Sequence, residues 1–135
     1  MLQPNQARKI PPQLIEAGQK HMDTLLNTVN GVGFVMLCSS DGFELALASK
    51  RNLDNKSKIA AVSSSILAMV TAFISEIHLH GCNSITLDAE NGKVLLTAVE
   101  HPQHPMVIVA LASNDILLGQ FLYQIKKVAD ALAAS

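Results

Sequence analysis

The chain has 135 residues, 49% of them hydrophobic and only 16% charged, with a net charge of −1. That is one domain with enough apolar residues for a sizeable core, and it excludes general disorder. The absence of any basic run, of tryptophan, and of any tyrosine but Tyr123 excludes the usual footprint of nucleic-acid binding. A monomer normally keeps roughly a quarter of its residues charged, so the deficit predicts surface hidden in an oligomer.

The opening MLQPNQARKIPP has no apolar run followed by a cleavage-like site, which argues against a secretory signal. Cys38 and Cys82 lie in apolar, strand-like contexts without close spacing, as buried free thiols of a cytoplasmic protein do. The expected organisation is a flexible N-terminus over 1–11 and a single domain over 12–135.

Pro11-Pro12 opens the first helix, proline being tolerated where its missing N–H has no partner. Leu14, Ile15, Met22, Leu25, Leu26 and Val29 give it one apolar face, and Asn30-Gly31-Val32-Gly33 stops it. Phe34 to Cys38 is a strand with no polar side, so both its faces should be covered. Asp41-Gly42 predicts a tight hairpin turn, and Phe43 to Ala48 returns as the second strand. A polar linker, Ser49 to Lys58, leads into a second helix at about Asn55, with Asp54 as its expected cap.

That helix is the most unusual segment. Ile59 to Ser75, IAAVSSSILAMVTAFIS, holds no charged side chain. Ile59, Val62, Ile66, Met69, Val70, Phe73 and Ile77 recur three and four apart and form one large apolar stripe, as a helix face requires. The opposite face, which should be solvated, carries Ala61, Ser64, Ser65, Ala68, Thr71, Ala72 and Ser75. Small residues there suggest a helix covered twice, once by its own core and once by another chain. Burial wholly inside one domain is the competing reading, but a chain this short has little left to cover both faces. A membrane span needs roughly 20 predominantly apolar residues, and the hydroxyls of Ser63, Ser64, Ser65, Thr71 and Ser75 make this segment too short and too polar, so no membrane insertion is expected.

The helix should end near His80-Gly81. Cys82 to Ala89 alternates as a strand, with Ile85 and Leu87 on one face and Ser84, Thr86 and Asp88 on the other, and Asn91-Gly92 predicts its hairpin. Val94 to Val99 and Met106 to Ala112 are further strands, the last apolar enough to be central. Ser113 or Asn114 should cap a final helix with a core face of Leu118, Phe121, Leu122, Ile125, Val128, Ala129 and Leu132. The order is α-β-β-α-β-β-β-α: an α/β fold with one five-stranded, mainly antiparallel sheet and helices on both faces. The third strand reads as a sheet edge guarded by Asp88 alone, where edges usually need charge or proline. An unguarded edge beside an uncharged helix suits a two-fold dimer with a continuous sheet.

Catalysis is poorly supported. Neither cysteine has a histidine nearby, Ser63-Ser64-Ser65 lacks the glycines of a nucleophile elbow, and Gly31-Val32-Gly33 is no phosphate loop. His78 and His80 sit at a helix end, where alternate residues diverge and the helix dipole accounts for them. His101 and His104 share a proline-held loop and offer only a remote metal-binding or small-molecule-sensing alternative.

The stretch FVMLCSSDGFELALA, Phe34 to Ala48, resembles the first hairpin of the roadblock family (dynein light chain roadblock type). That family typically shows an apolar strand, then Ser-x-Asp-Gly, then an apolar residue and alanine in the returning strand, and Ser39, Asp41, Gly42, Leu45 and Ala46 fill those places. The small-residue helix, the Gly81 break, the Asn91-Gly92 hairpin and the terminal NDILLGQFLYQIKKVADAL are similar to their counterparts, so the resemblance runs from Leu14 to Ala133. It implies a roadblock/longin/profilin-like fold that dimerises through the second helix and third strand, and a non-enzymatic platform without cofactor or catalytic residues. Bacterial members of the gliding-motility protein B type accompany Ras-like small GTPases, which they stimulate or localise, docking them on the face of the paired helices; eukaryotic relatives act in dynein and lysosomal scaffolds.

The expected dimer interface is Val62, Ser65, Ile66, Met69, Phe73 and the strand Ser84, Ile85, Thr86, Leu87, Asp88. Lys58, Ala61, Ser64, Ala68, Thr71, Ala72 and Ser75 are the expected docking positions for the GTPase. Arg51, in the linker, is a candidate arginine finger, although an exposed loop arginine is more often merely solvated. The alternative is a roadblock-type scaffold or light-chain subunit that leaves nucleotide turnover unchanged.

Overall fold

The computed structural model describes residues 10–135. Helix α1 (Pro12–Thr28) begins at Pro11, whose carbonyl accepts from the N–H groups of Leu14 and Ile15. Strands β1 (Val32–Ser39) and β2 (Glu44–Ser49) form the first hairpin, and helix α2 (Lys56–Glu76) follows. Strands β3 (Ser84–Ala89), β4 (Gly92–Val99) and β5 (Met106–Ala112) come next, then helix α3 (Leu118–Ala133). The element order and the five-stranded sheet are those the sequence predicts, and every pairing is antiparallel, in the order β2-β1-β5-β4-β3.

Period-two alternation sorts the sheet into two apolar faces. On one side Val35, Leu37, Leu95, Val99, Ile108 and Ala110 pack under α1 and α3. On the other, Phe34, Met36, Cys38, Leu96, Val107 and Val109 meet α2. Both faces of β1 and β5 are covered, which is why these strands tolerate no polar side. Ile10 is buried in the α1 side of the core, so the packed unit includes it; the rest of the expected flexible terminus, residues 1–9, lies outside the described residues.

Neither hairpin places its Asp-Gly or Asn-Gly pair at the two central turn positions. At the first, the loop is Ser40-Asp41-Gly42: Gly42 N–H donates to Ser39 O at 3.0 Å, and Gly42 sits at φ +97°. A type I turn with a left-handed glycine after it produces this three-residue loop. It is followed by a β-bulge that shifts the register between Leu37 and Cys38. At the second, Ala89 pairs with Gly92, so the turn residues are Glu90 and Asn91 and the glycine belongs to the strand. A Cβ at Gly92 would lie 3.1 Å from the Ala112 carbonyl oxygen, so close approach to β5 explains the glycine better than turn geometry does.

The helix ends also differ. α2 stops at Glu76, before the expected His80, because the chain reverses through His78 at φ +65°. Asp54 does not cap it; Asn55 holds the N-cap position without a side-chain hydrogen bond. α3 starts at Leu118, after a turn in which Ser113 Oγ donates to Asp115 Oδ1 (2.7 Å) and Asn114 Nδ2 donates to Glu90 O (2.7 Å), so neither residue caps that helix.

Candidate interaction surface

Helix α2 lies on its sheet by its small side. Ala60, Ser63 and Ser64 are its buried residues, with Ile59, Ile66 and Leu67 half-buried at the flanks. Close approach demands small groups: a Cβ at Gly42 would stand 3.2 Å from Ala61 Cα. Ser64 Oγ lies 3.1 Å from both Ser39 O and Ala60 O, so its hydroxyl is satisfied inside the fold. The large residues Val62, Met69, Phe73 and Ile77 face outward, with Met69 65% and Phe73 64% exposed.

Toward the C-terminal end of α2, Thr71, Ala72, Phe73 and Ser75, with Ile77 just after it, are all exposed. By length and composition α2 would be apolar enough to cross a membrane, contrary to the reading of the segment as too short. It is nonetheless folded onto its own sheet through Ala60, Ser63 and Ser64.

Val62, Ser65, Met69 and Phe73 lie three and four apart and form one exposed stripe. Ile66, expected in the same surface, is half-buried against the side of the core that holds Phe34 and Met36. Among the expected docking positions, Ser64 is buried and cannot reach a partner, and Ala61 is half-buried at the Gly42 turn. Lys58, Ala68, Thr71, Ala72 and Ser75 are exposed.

Strand β3 is an outer strand, as its sequence suggests. Ile85 turns in toward the α2 core, while Ser84, Thr86, Leu87 and Asp88 are exposed. Its hydrogen-bonding phase follows from Ala98 N–H donating to Asn83 O at 3.0 Å. With Asn83 and Ala98 a hydrogen-bonded pair, alternation makes Ile85–Leu96 and Leu87–Val94 hydrogen-bonded as well. The N–H and C=O groups of Ser84, Thr86 and Asp88 therefore point out along the free edge. Among the described residues only the Cys82 thiol comes near them, 3.9 Å from Ser84 O. Asp88 does not guard the edge: its carboxylate is held 2.7 Å from Lys93 Nζ across the hairpin.

The opposite edge is covered at Leu47. Gln19 of α1 donates from Nε2 to Leu47 O (2.8 Å) and accepts from Leu47 N–H at Oε1 (3.2 Å), occupying the β2 backbone groups that a further strand would use. Sequence inspection misses Gln19, because no local pattern places a helix glutamine beside a strand 28 residues away. It also misses Leu79, an exposed apolar residue between His78 and His80 that extends the patch from α2 toward β3.

The remaining sequence candidates carry structural roles. Burial pushes the Cys38 thiol up to about 12, with Glu44 adding to the shift, so Cys38 is a packing group and not a nucleophile. Cys82 is half-buried in the loop before β3. His101 Nδ1 accepts from the N–H groups of Gln103 (3.2 Å) and His104 (3.0 Å), which leaves Nε2–H to donate to Ser135 O at 2.8 Å. Both ring nitrogens are thus engaged in holding the loop against the end of α3. Among the described residues no group of three or more His, Cys, Asp or Glu side chains gathers in metal-binding proximity. Arg51 is exposed on the linker, its N–H bonded to Ser49 Oγ.

The family model described as Roadblock/LC7 domain matches residues 19–112. Among solved structures, Myxococcus xanthus MglB superposes with a TM-score of 0.80 at 17% identity, covering 93% of this chain and 91% of that one. The gliding protein MglB of Thermus thermophilus gives 0.80 at 15% identity, with 93% and 92% covered. An MglB with tetrameric arrangement gives 0.80 at 16%, with 93% and 91% covered. At such identities the likeness is one of fold. No curated protein matches the chain.

Proposed function

This chain belongs to the Roadblock/LC7 domain family, and from that premise we propose that it is a non-enzymatic, homodimeric platform that binds a Ras-like small GTPase. Family and fold support a roadblock-type scaffold. The observations that support the dimer are the exposed α2 stripe, Val62, Ser65, Met69 and Phe73, and the outward backbone groups of the outer strand β3. A two-fold axis at Thr86 would pair Thr86 with its own copy and Ser84 with the partner's Asp88, using the outward backbone groups of all three residues. The tetrameric arrangement described for one MglB is in keeping with self-association in this fold.

The GTPase is assigned to the exposed remainder of the helix face, Lys58, Ala68 and Ala72 among it. With no catalytic constellation among the described residues, stimulation would come from ordering the partner's switch loops. Light scattering should give the mass of two chains, and a GTP-turnover assay with a co-encoded small GTPase should show binding and faster hydrolysis. Binding with unchanged turnover would leave the scaffold alone; a monomer at micromolar concentration would remove the dimer.

A further inference from the structure

Among the described residues, the exposed large hydrophobic side chains belong to α2, β3 or the segment joining them, with two exceptions. Leu117, 66% exposed, and Tyr123, 62% exposed, stand at the start of α3, which packs on the opposite face of the sheet. Exposed Gln120 lies midway between them, and an arc of about 120° of the helix carries all three. Leu117 and Gln120 also line a cavity of about 710 Å³ between the end of α1 and the start of α3, whose apolar lining includes Val29, Ile116 and Phe121. Beside Gln120, Gly119 has no positive φ, and a Cβ there would meet nothing within 4 Å. Its own fold therefore does not call for glycine, whereas glycine at that place lets another backbone come close.

The order of charges along this surface indicates the occupant. Ile116 to Ile125 holds no charged residue, Asp115 precedes the run, and Lys126 and Lys127 follow it. The part of α1 across the cavity, Thr24 to Asn30, is uncharged as well. A surface acidic at one end, basic at the other and neutral between them is complementary to itself when two copies meet antiparallel. We propose that a second copy of the chain docks here, α3 against α3, with the two-fold axis at Gln120. Each Tyr123 ring then meets Leu117 at the mouth of the other copy's cavity, and each Asp115 lies toward the lysines of the other copy. The two Gln120 amides, each both donor and acceptor, hydrogen-bond to one another. Lys127 Nζ already stands 5.5 Å from the Tyr123 ring centroid, on the side of the contact. The contact uses neither α2 nor β3, so it is independent of pairing through the β3 edge and would join two such pairs into four chains.

The test is sedimentation equilibrium of the full chain from micromolar to millimolar concentration. The contact involves fewer residues than the roughly 20–30 a side of a standard interface, so it should appear only toward the millimolar end, as a doubling of the mass seen at micromolar concentration. Leu117→Glu and Tyr123→Glu should each abolish the doubling and leave the melting temperature unchanged, since both residues are exposed. Gly119→Leu should weaken it about tenfold while raising the melting temperature, leucine being the better helix former. Thr86→Pro, which acts on the β3 edge alone, should still double, from one chain to two, so loss of the β3 pairing and loss of this contact are read separately. No doubling at millimolar concentration, or a doubling that survives Leu117→Glu, Tyr123→Glu or Gly119→Leu at parental strength, would overturn the proposal.

Discussion

Gln19 makes with Leu47 both of the backbone hydrogen bonds that an added strand would make, at 2.8 and 3.2 Å. One helix side chain thereby covers the β2 edge at Leu47, while among the described residues none covers the β3 edge at Ser84, Thr86 and Asp88 in this way. A sheet with one closed and one open end can extend in one direction only. Gln19→Ala should cost about 1 kcal/mol and create a second sticky edge, seen as concentration-dependent species larger than two chains. An unchanged mass distribution would show that the edge is blocked by other means.

Thr86→Pro tests the open edge. Proline removes the outward N–H of Thr86 and leaves the β3–β4 ladder intact, because the hydrogen-bonded pairs there are Ile85–Leu96 and Leu87–Val94. The expected result is a folded monomer by light scattering, with little change in far-UV circular dichroism. A dimer of parental affinity would move the interface away from β3.

Helix α2 separates folding from association by face. Phe73→Glu and Met69→Lys alter exposed residues and should abolish the dimer while changing unfolding of the monomer by less than about 0.5 kcal/mol. Ala60→Leu forces a larger group between helix and sheet and should cost about 1–3 kcal/mol. Chemical denaturation and sedimentation of the same variants check both. Loss of fold in Phe73→Glu would mean the outer stripe serves its own core.

Cys38 gives a pH dependence with a definite sign. Its folded value of about 12 stands above the reference of 9.0, so folding favours the protonated thiol. The stabilisation is fully present below about pH 9 and is lost as pH rises from there toward 12. Cys38→Ala should flatten that part of the stability profile relative to the parent. In the folded parent at pH 8 roughly one Cys38 in ten thousand is thiolate, so a thiol reagent should label Cys82 first and Cys38 only on unfolding.

His101→Ala should release the loop from Ser135 and lower stability by about 1–2 kcal/mol, since one ring satisfies three backbone groups. Zinc or nickel added to the parent should leave its melting temperature unchanged; a metal-dependent rise lost in the variant would restore the metal-binding alternative.

Element types, their order and the edge position of β3 were legible in the sequence because each rests on local periodicity. The run Phe34 to Cys38 and the run Met106 to Ala112 have no polar side and take central positions, while the alternating Ser84 to Ala89 lies outside. Turn detail was less legible. Asp-Gly and Asn-Gly occur in hairpin contexts either way, and only the register shows that Gly42 supplies a left-handed residue and Gly92 a close approach to β5.

The uncharged run Ile59 to Ser75 was legible in the sequence alone, and with it the expectation that both sides of α2 are covered. Which face meets the sheet was decided only by the tertiary structure. Large residues spaced three and four apart normally mark the core side of a helix. Here the Gly42 turn and the Ser39 carbonyl bring the backbone of α2 so close to its sheet that only Ala60, Ser63 and Ser64 fit beneath it. Contact distance, which one-dimensional periodicity does not contain, turned Val62, Met69 and Phe73 outward.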